Sequence, residues 1–202
     1  SFRSGGSSDR RVGFVDLAPT LLSIAGQKPP AHLQGHAFLG KHQAPEQEYG
    51  YGFRGRMDER YDIIRMVRDK RYKYIRNYEP LKTFYQYMNT PEKGATMKEL
   101  RRLHHTGNLL PFANAYFSPT KPNEELYDCN ADPHELNNVA DNPAFKRELI
   151  RLRRAQLTWV RETKDLGLIP EAVIARLEGS IGNRYAILRQ EGGDTLASRI
   201  AQ

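Results

Sequence analysis

A single cysteine, Cys129, occurs in the 202 residues, so no internal disulfide framework staples this chain, and its redox compartment is left open. No apolar run approaches the ~18–20 residues needed to cross a bilayer as a helix. There is no Gly-rich phosphate loop, no Gly-x-Ser-x-Gly elbow and no dinucleotide-binding fingerprint. No internal repeat is visible. Ser1 to Arg10 is polar and Gly/Ser-rich, without an initiator Met or the apolar centre of a secretory leader. The beginning is therefore expected to be a cut through a longer chain, which says nothing about compartment.

What is present is a globular balance: 39% hydrophobic and 27% charged residues, enough for one core or for one domain with pieces of its neighbours. The formal net charge is +7. Part of the excess sits between Arg54 and Arg76, and part on Lys146, Arg147, Arg151, Arg153, Arg154 and Arg161. This balance favours anionic partners such as nucleic acid, acidic lipid or sulfated and carboxylated sugars. Solvated strand and helix faces would give the same composition.

Local patterns predict an α+β chain. A helix is expected over residues 16–25, with Asp16 as cap, Pro19 in the first turn, Leu17, Leu21 and Ile24 on one face, and Gly26 as stop. Residues 12–15 before it read as strand or extended. Pro29-Pro30 breaks the chain, and Phe38 and Leu39 pin the loop that follows. Residues 49–53, 61–68, 71–78 and 124–128 alternate as strands, with Asp69-Lys70 as a two-residue loop, and predict an antiparallel sheet of about four strands. A short helix over 96–105 stops at Gly107. The strongest helix spans 143–164, its apolar face formed by Phe145, Leu149, Leu152, Trp159 and Val160. Pro170 opens another, with Val173, Ile174 and Leu177 at helical spacing, and Gly192-Gly193 interrupts the tail.

The stretch Glu125-Leu126-Tyr127-Asp128-Cys129-Asn130-Ala131-Asp132-Pro133-His134-Glu135-Leu136-Asn137-Asn138 reads as strand, acidic turn and helix start. Asp132 is its expected N-cap, Pro133 its first helical residue, and Glu135 lies near its positive end. Asp128-x-Asn130-x-Asp132 imitates a calcium loop, but Pro133 stands where Gly is needed and Val139 where a bidentate Glu is required. His32 and His36 lack a helix to share and a third ligand. His104 and His105 read as surface residues. Cys129 has no base partner, and Asp128 and Asp132 are expected to raise its pKa. The remaining candidate is Arg54-Gly55-Arg56-Met57-Asp58-Glu59-Arg60-Tyr61. Its guanidinium groups suit bidentate recognition of sulfate or carboxylate, and cross-strand ion pairing is the alternative.

Three segments resemble the sulfatase family in the right order. Residues 12–26 resemble the piece that joins its large α/β core to the distal part. Arg-Met-Asp-Glu-Arg-Tyr-Asp, then Val-Arg-Asp-Lys-Arg-Tyr-Lys-Tyr-Ile-Arg-Asn-Tyr within residues 54–78, resembles the C-terminal sheet of bacterial members related to heparan N-sulfatases. Glu-Leu-Tyr-Asp, Asp-Pro, Glu and Asn within residues 124–140 resemble the family's C-terminal signature. The resemblance implies an alkaline-phosphatase-like fold divided here into a core remnant (1–47), a C-terminal sheet subdomain (48–168) and a tail (169–202). It implies a formylglycine and a calcium ion in the intact enzyme, with the hydrated aldehyde attacking sulfur. None of those residues carries over: no Cys/Ser-x-Pro/Ala-x-Arg and no Asp-Asn-Gly motif occurs, so catalytic and metal groups are expected upstream of Ser1. No cofactor is expected in this piece. Gly55 stands where relatives often carry a polar residue. Arg54, Arg56, Asp58, Glu59 and Arg60 are the expected substrate-cleft wall. The implied partners are the upstream catalytic domain of the same chain and an anionic sulfated small molecule or glycan, with no nucleic acid and no membrane span. The family suggests a periplasmic or extracellular setting. A basic module for nucleic acid or anionic polysaccharide, and a related phosphoester or phosphonate hydrolase, are the alternatives.

Overall fold

The computed structural model describes residues 5–187. The Gly192-Gly193 break and residues 188–202 of the expected tail lie outside the described residues.

Leu17–Ile24 forms α1, one residue inside each expected end. A 3-10 turn, Phe14–Asp16, precedes it in place of the expected extended stretch. The turn puts Asp16 in a helical conformation, so Asp16 does not cap the helix as expected. Its carboxylate instead accepts from the N–H groups of Gly13 (2.8 Å) and His36 (2.7 Å). Residues 35–42 then wrap the polar side of α1. Phe38 N–H donates to Thr20 Oγ1 at 3.1 Å, and His42 N–H donates to Ser23 Oγ at 2.8 Å. The approach is too close for a side chain at two points. A Cβ on Gly35 would lie 2.0 Å from the Val15 carbonyl oxygen, and one on Gly40 (φ +88°) would lie 2.4 Å from the Ser23 carbonyl carbon. Thr20 and Ser23 are buried, while Leu17, Leu21 and Ile24 point outward.

Four strands follow as an antiparallel sheet in the order β1 (Gly50–Arg54), β2 (Ile64–Arg68), β3 (Tyr72–Asn77) and β4 (Glu124–Asp128). Their register aligns Tyr51, Val67, Tyr74 and Leu126 as one row across the sheet. The β2–β3 turn sits one residue later than expected, with Lys70-Arg71 at its tip. Asp69 Oδ1 accepts from the N–H groups of Arg71 (2.7 Å) and Tyr72 (2.6 Å), which fixes the turn without the glycine a two-residue loop prefers.

Between β3 and β4 the chain makes an excursion through α2 (Asn89–Lys93), α3 (Ala95–His105) and α4 (Pro111–Asn114). The excursion is tied back by a buried cluster: Lys121 Nζ pairs with Asp62 Oδ2, which also accepts from Gln86 Nε2 at 2.9 Å, while Asp62 Oδ1 accepts from Ile63 N–H at 2.9 Å.

The helix expected after Asp132 is absent. Residues 131–140 form a looped turn, because Glu135 is left-handed (φ +55°) and the Asp132 carboxylate accepts from Asn137 N–H at 2.7 Å. The loop doubles back along the free edge of β4. Leu126 N–H donates to Asn138 Oδ1 at 2.9 Å, and Val139 N–H donates to the Leu126 carbonyl at 2.9 Å. Backbone groups that would otherwise be open to another strand are thereby satisfied.

Asn142 caps a 3-10 turn, Pro143–Phe145, that leads into α5 (Lys146–Glu162). Leu149 and Leu152 pack on Val67, Tyr74 and Leu126 to form the main core. Val160 joins Ile63 and Leu168 in a second cluster. Trp159 is half-buried and stacks on Tyr51, with ring centroids 5.0 Å apart. Periodicity did not single out Gln156, which is buried and donates to the Arg65 carbonyl at 2.8 Å. Pro170 opens α6 (Glu171–Ile181), and α7 (Arg184–Ile187) follows. Ile169, Ile174 and Ile187 form the third cluster.

Both side chains of the Lys121–Asp62 pair are fully buried. Asp62→Ala would leave an unpaired ammonium in the interior and is expected to destabilise the protein by about 3–5 kcal/mol, whereas Asp62→Leu combined with Lys121→Met should recover most of that loss. Urea denaturation of the two variants checks this. Acid acts on the sheet's rim. The Arg71 guanidinium holds Asp128 below the usual carboxylate range. Burial alone would raise Glu124, but Arg153 and Tyr74 outweigh it and its value is lowered. Groups lowered on folding contribute fully above their unfolded values, about pH 4, and the contribution is lost as pH falls through the folded values. The melting temperature is expected to fall below about pH 4, and to fall less steeply in Arg71→Ala and Arg153→Ala, which are already weakened at neutral pH.

Candidate functional site

The Arg54–Tyr61 cluster leaves β1 and returns to β2 through a tight reversal. Met57 and Arg60 exchange backbone hydrogen bonds (Arg60 N–H to the Met57 carbonyl at 2.9 Å), and Asp58 at the tip is left-handed (φ +46°) and exposed. The five expected wall residues part company here. Arg54 ends β1 with its Nε buried and without a partner among the described residues, and its carbonyl accepts from Arg65 Nη1 at 3.2 Å. Arg56 turns to α6 and pairs with Glu171, its Nε lying 2.9 Å from each carboxylate oxygen. The Arg56 guanidinium also lies 5.8 Å from the Tyr61 ring centroid. Glu59 accepts from Asn89 N–H at 2.7 Å at the start of α2, and that bond lowers its pKa. Arg60 Nε donates to the Tyr87 carbonyl.

Of the five, Glu59 and Arg60 line a cleft, an open space of about 640 Å³ between the hairpin and the excursion. Its other walls come from Tyr61, Lys82, Tyr85 and Tyr87, with Phe117 at the back. Lys82 Nζ lies 4.9 Å from the Tyr61 centroid and donates to the Tyr61 carbonyl at 3.1 Å. Tyr85 packs against Phe117 at 5.0 Å and donates its hydroxyl to Glu92 Oε1 at 2.6 Å. Burial raises the Tyr61 phenol, and its hydroxyl has no hydrogen-bond partner among the described residues. The cleft therefore combines two cations, the Glu59 carboxylate held by Asn89 N–H, and phenolic and aromatic faces, a set in which the cations can hold a polar anionic group beside an apolar ring face. Lys82, Tyr85 and Tyr87 escaped sequence reasoning because residues 79–123 carry no clear period. The Tyr-x-Tyr spacing next to Lys82 was the available signal.

The acidic turn after β4 is committed to structure. Asp128 binds Arg71 Nη2 at 2.7 Å and accepts from Asn130 N–H at 3.2 Å, and Asp132 is taken by Asn137. Among the described residues no group of three or more His, Cys, Asp and Glu is placed to hold a metal ion. Cys129 Sγ lies 3.8 Å from Glu135 Oε1, and its thiol is raised chiefly by burial, with Glu135 adding to the effect. The acidic neighbour responsible is thus Glu135 rather than Asp128 or Asp132. A half-buried thiol with a raised pKa is a poor nucleophile, and these residues do not fit the calcium and formylglycine that the resemblance assigns to an intact enzyme. His104 binds Asn114 Oδ1 at 2.7 Å and stacks on Phe117, serving the excursion's packing.

No protein-family model matches the chain. Over 166 residues it is 43% identical to an ulvan-active sulfatase of Formosa agariphila, a match that spans 82% of this chain and 28% of that protein. A second ulvan-active sulfatase of the same organism is 30% identical over 171 residues, spanning 81% of this chain and 32% of that protein. Among solved structures, a 2-O GAG sulfatase superposes with a TM-score of 0.49 at 24% identity over 74% of this chain and 25% of that one. The chain thus spans about a third or less of the length of the curated relatives it matches. On the strength of its sequence identity to them, the chain belongs to the sulfatase family, as a C-terminal portion.

Proposed function

We propose that this chain is the trailing part of a longer sulfatase that hydrolyses sulfate esters or sulfamates on sugars. In this reading it completes the body of the enzyme and supplies one wall of the substrate cleft, while the reactive groups come from the portion that precedes it. The observation that carries the reading is the outward apolar face of α1 and the turn before it. Phe14 is 93% exposed, and Leu17, Leu21 and Ile24 are exposed on the same segment. The helix's polar side is already covered by residues 35–42, so the apolar side is the one left for a neighbour. Contiguous apolar surface of this kind marks a contact face. Identity to curated sulfatases much longer than this chain supports a preceding catalytic portion as that neighbour.

At the cleft, Arg60 and Lys82 would meet the charge of a sulfated sugar, and Tyr61 and Tyr87 its ring. Arg60 is oriented by the Tyr87 carbonyl and Lys82 by the Tyr61 carbonyl, so both cations are held in place before a ligand arrives. Neither is a nucleophile, and the sequence contains no Cys/Ser-x-Pro/Ala-x-Arg motif.

The isolated 202-residue chain is expected to turn over no aryl sulfate, and measurable hydrolysis by the pure chain would contradict the proposal. The docking face is tested by Leu21→Glu made in two contexts. In the isolated chain the substitution is at an exposed site and should change stability by no more than about 0.5 kcal/mol. In the protein that includes the preceding portion it should cost about 2 kcal/mol or more, because a carboxylate would be buried against apolar surface. Equal tolerance in both contexts would sink the assignment of that face.

A further inference from the structure

We propose that the groove between β1 and α5 binds a polyanionic, sulfated glycan chain. It encloses about 620 Å³, is lined by Tyr49, Tyr51, Arg147, Arg151, Arg154 and Thr158 among others, and shares no lining residue with the Arg60 cleft. The proposal rests on the reading of sulfated sugars as the substrate class and adds a surface that would hold the polymer.

Three guanidinium groups and no carboxylate line the groove. They stand at positions i, i+4 and i+7 of one helix, so they share a face and extend over about 10 Å at ~1.5 Å rise per residue. That span meets anionic groups on successive sugar units rather than a single one. The three differ in commitment. Arg151 is held by the Asp69 carboxylate and by the Tyr49 hydroxyl at 3.1 Å, which fixes the middle of the groove. Arg147 and Arg154 are exposed and make no hydrogen bond or ion pair among the described residues. Arg153, on the neighbouring face of the same helix, is fully engaged by Glu124 at 2.7 and 2.6 Å. Two uncommitted guanidinium groups of α5, Arg147 and Arg154, therefore stand in the groove.

The aromatic rings favour sugar over nucleobases. Tyr51 already has one face stacked on Trp159, nearly parallel at 6°, and Tyr49 is tilted 49° to Tyr51. No continuous platform for stacked bases results, whereas one free ring face beside guanidinium forks suits a pyranose carrying oxyanions. Burial raises the Tyr51 phenol to about 12, which keeps it neutral beside a polyanion.

The test uses the intact protein with dextran sulfate as probe and with dextran and oligo-dT as competitors. The double variant Arg147→Ala/Arg154→Ala is expected to weaken dextran sulfate binding about tenfold or more, since two charge-assisted contacts to the polyanion are lost. The charge-matched pair Lys98→Ala/Arg161→Ala, outside the groove, should change it by about twofold or less. Dextran should not compete, and oligo-dT should compete poorly. Equal weakening by both pairs, or displacement by oligo-dT as effective as by free dextran sulfate, would overturn the groove. Groove-dependent binding in a protein that hydrolyses no sulfate ester would overturn the proposed function while supporting the groove.

Discussion

The packing of α5 across the row Tyr51–Val67–Tyr74–Leu126 is the contact on which everything else in this chain depends. Each strand contributes one residue to the row, and the helix covers it with Leu149, Leu152 and Trp159. Antiparallel strands of five or six residues are too short to be stable without such a cover. Beyond the apolar contact the register is held by polar groups that tolerate no slip. Gln156 reaches the Arg65 carbonyl in β2, and the buried Arg65 side chain is held by Asp165 just past the end of α5. A one-residue shift in β2 would turn Arg65 to the other face and strand both Gln156 and Asp165.

The perimeter follows from that arrangement. Glu124 at the start of β4 gathers Tyr74, Arg76 and Arg153, while Asp69 at the β2–β3 turn holds Arg151 and Asp128 at the end of β4 holds Arg71. Much of the basic excess is thus spent on positioning strands and helix. The acidic turn has the same structural character. Its Asp and Asn side chains fold the chain back over the outer edge of β4, so the most recognisable stretch of sequence closes a sheet edge and carries no chemistry of its own.

Among the described residues, the α1 face and the β1–α5 groove differ in kind. The α1 face is apolar because the helix uses Thr20 and Ser23, its small polar residues, for contact with its own wrap. The β1–α5 groove is cationic and aromatic. The Arg60 cleft lies between them in character, with cations already oriented by backbone carbonyls. A protein portion that docks through one face and meets charged polymer through others accounts for this division.

Strand positions, the antiparallel order, and the helices near residues 16–25, 96–105, 143–164 and after Pro170 were legible in the sequence, because period-2 and period-3.6 patterns report burial on a sheet or helix face. The family was legible from three ordered motifs. Tertiary structure alone decided where side chains with more than one available partner went. Arg56 sat in a cluster that suited either oxyanion binding or ion pairing, and it met Glu171, more than a hundred residues away, across the fold. Asp132 had the composition of a helix cap, yet a left-handed Glu135 made it a loop anchor. Leu17, Leu21 and Ile24 share a face as their spacing requires, but only the wrap at Gly35 and Gly40 determined that this face looks outward. Periodicity encodes which residues lie together on an element. Which neighbour a charge finds, and which face stays open, depends on contacts between segments far apart in the chain, and those carry no local pattern.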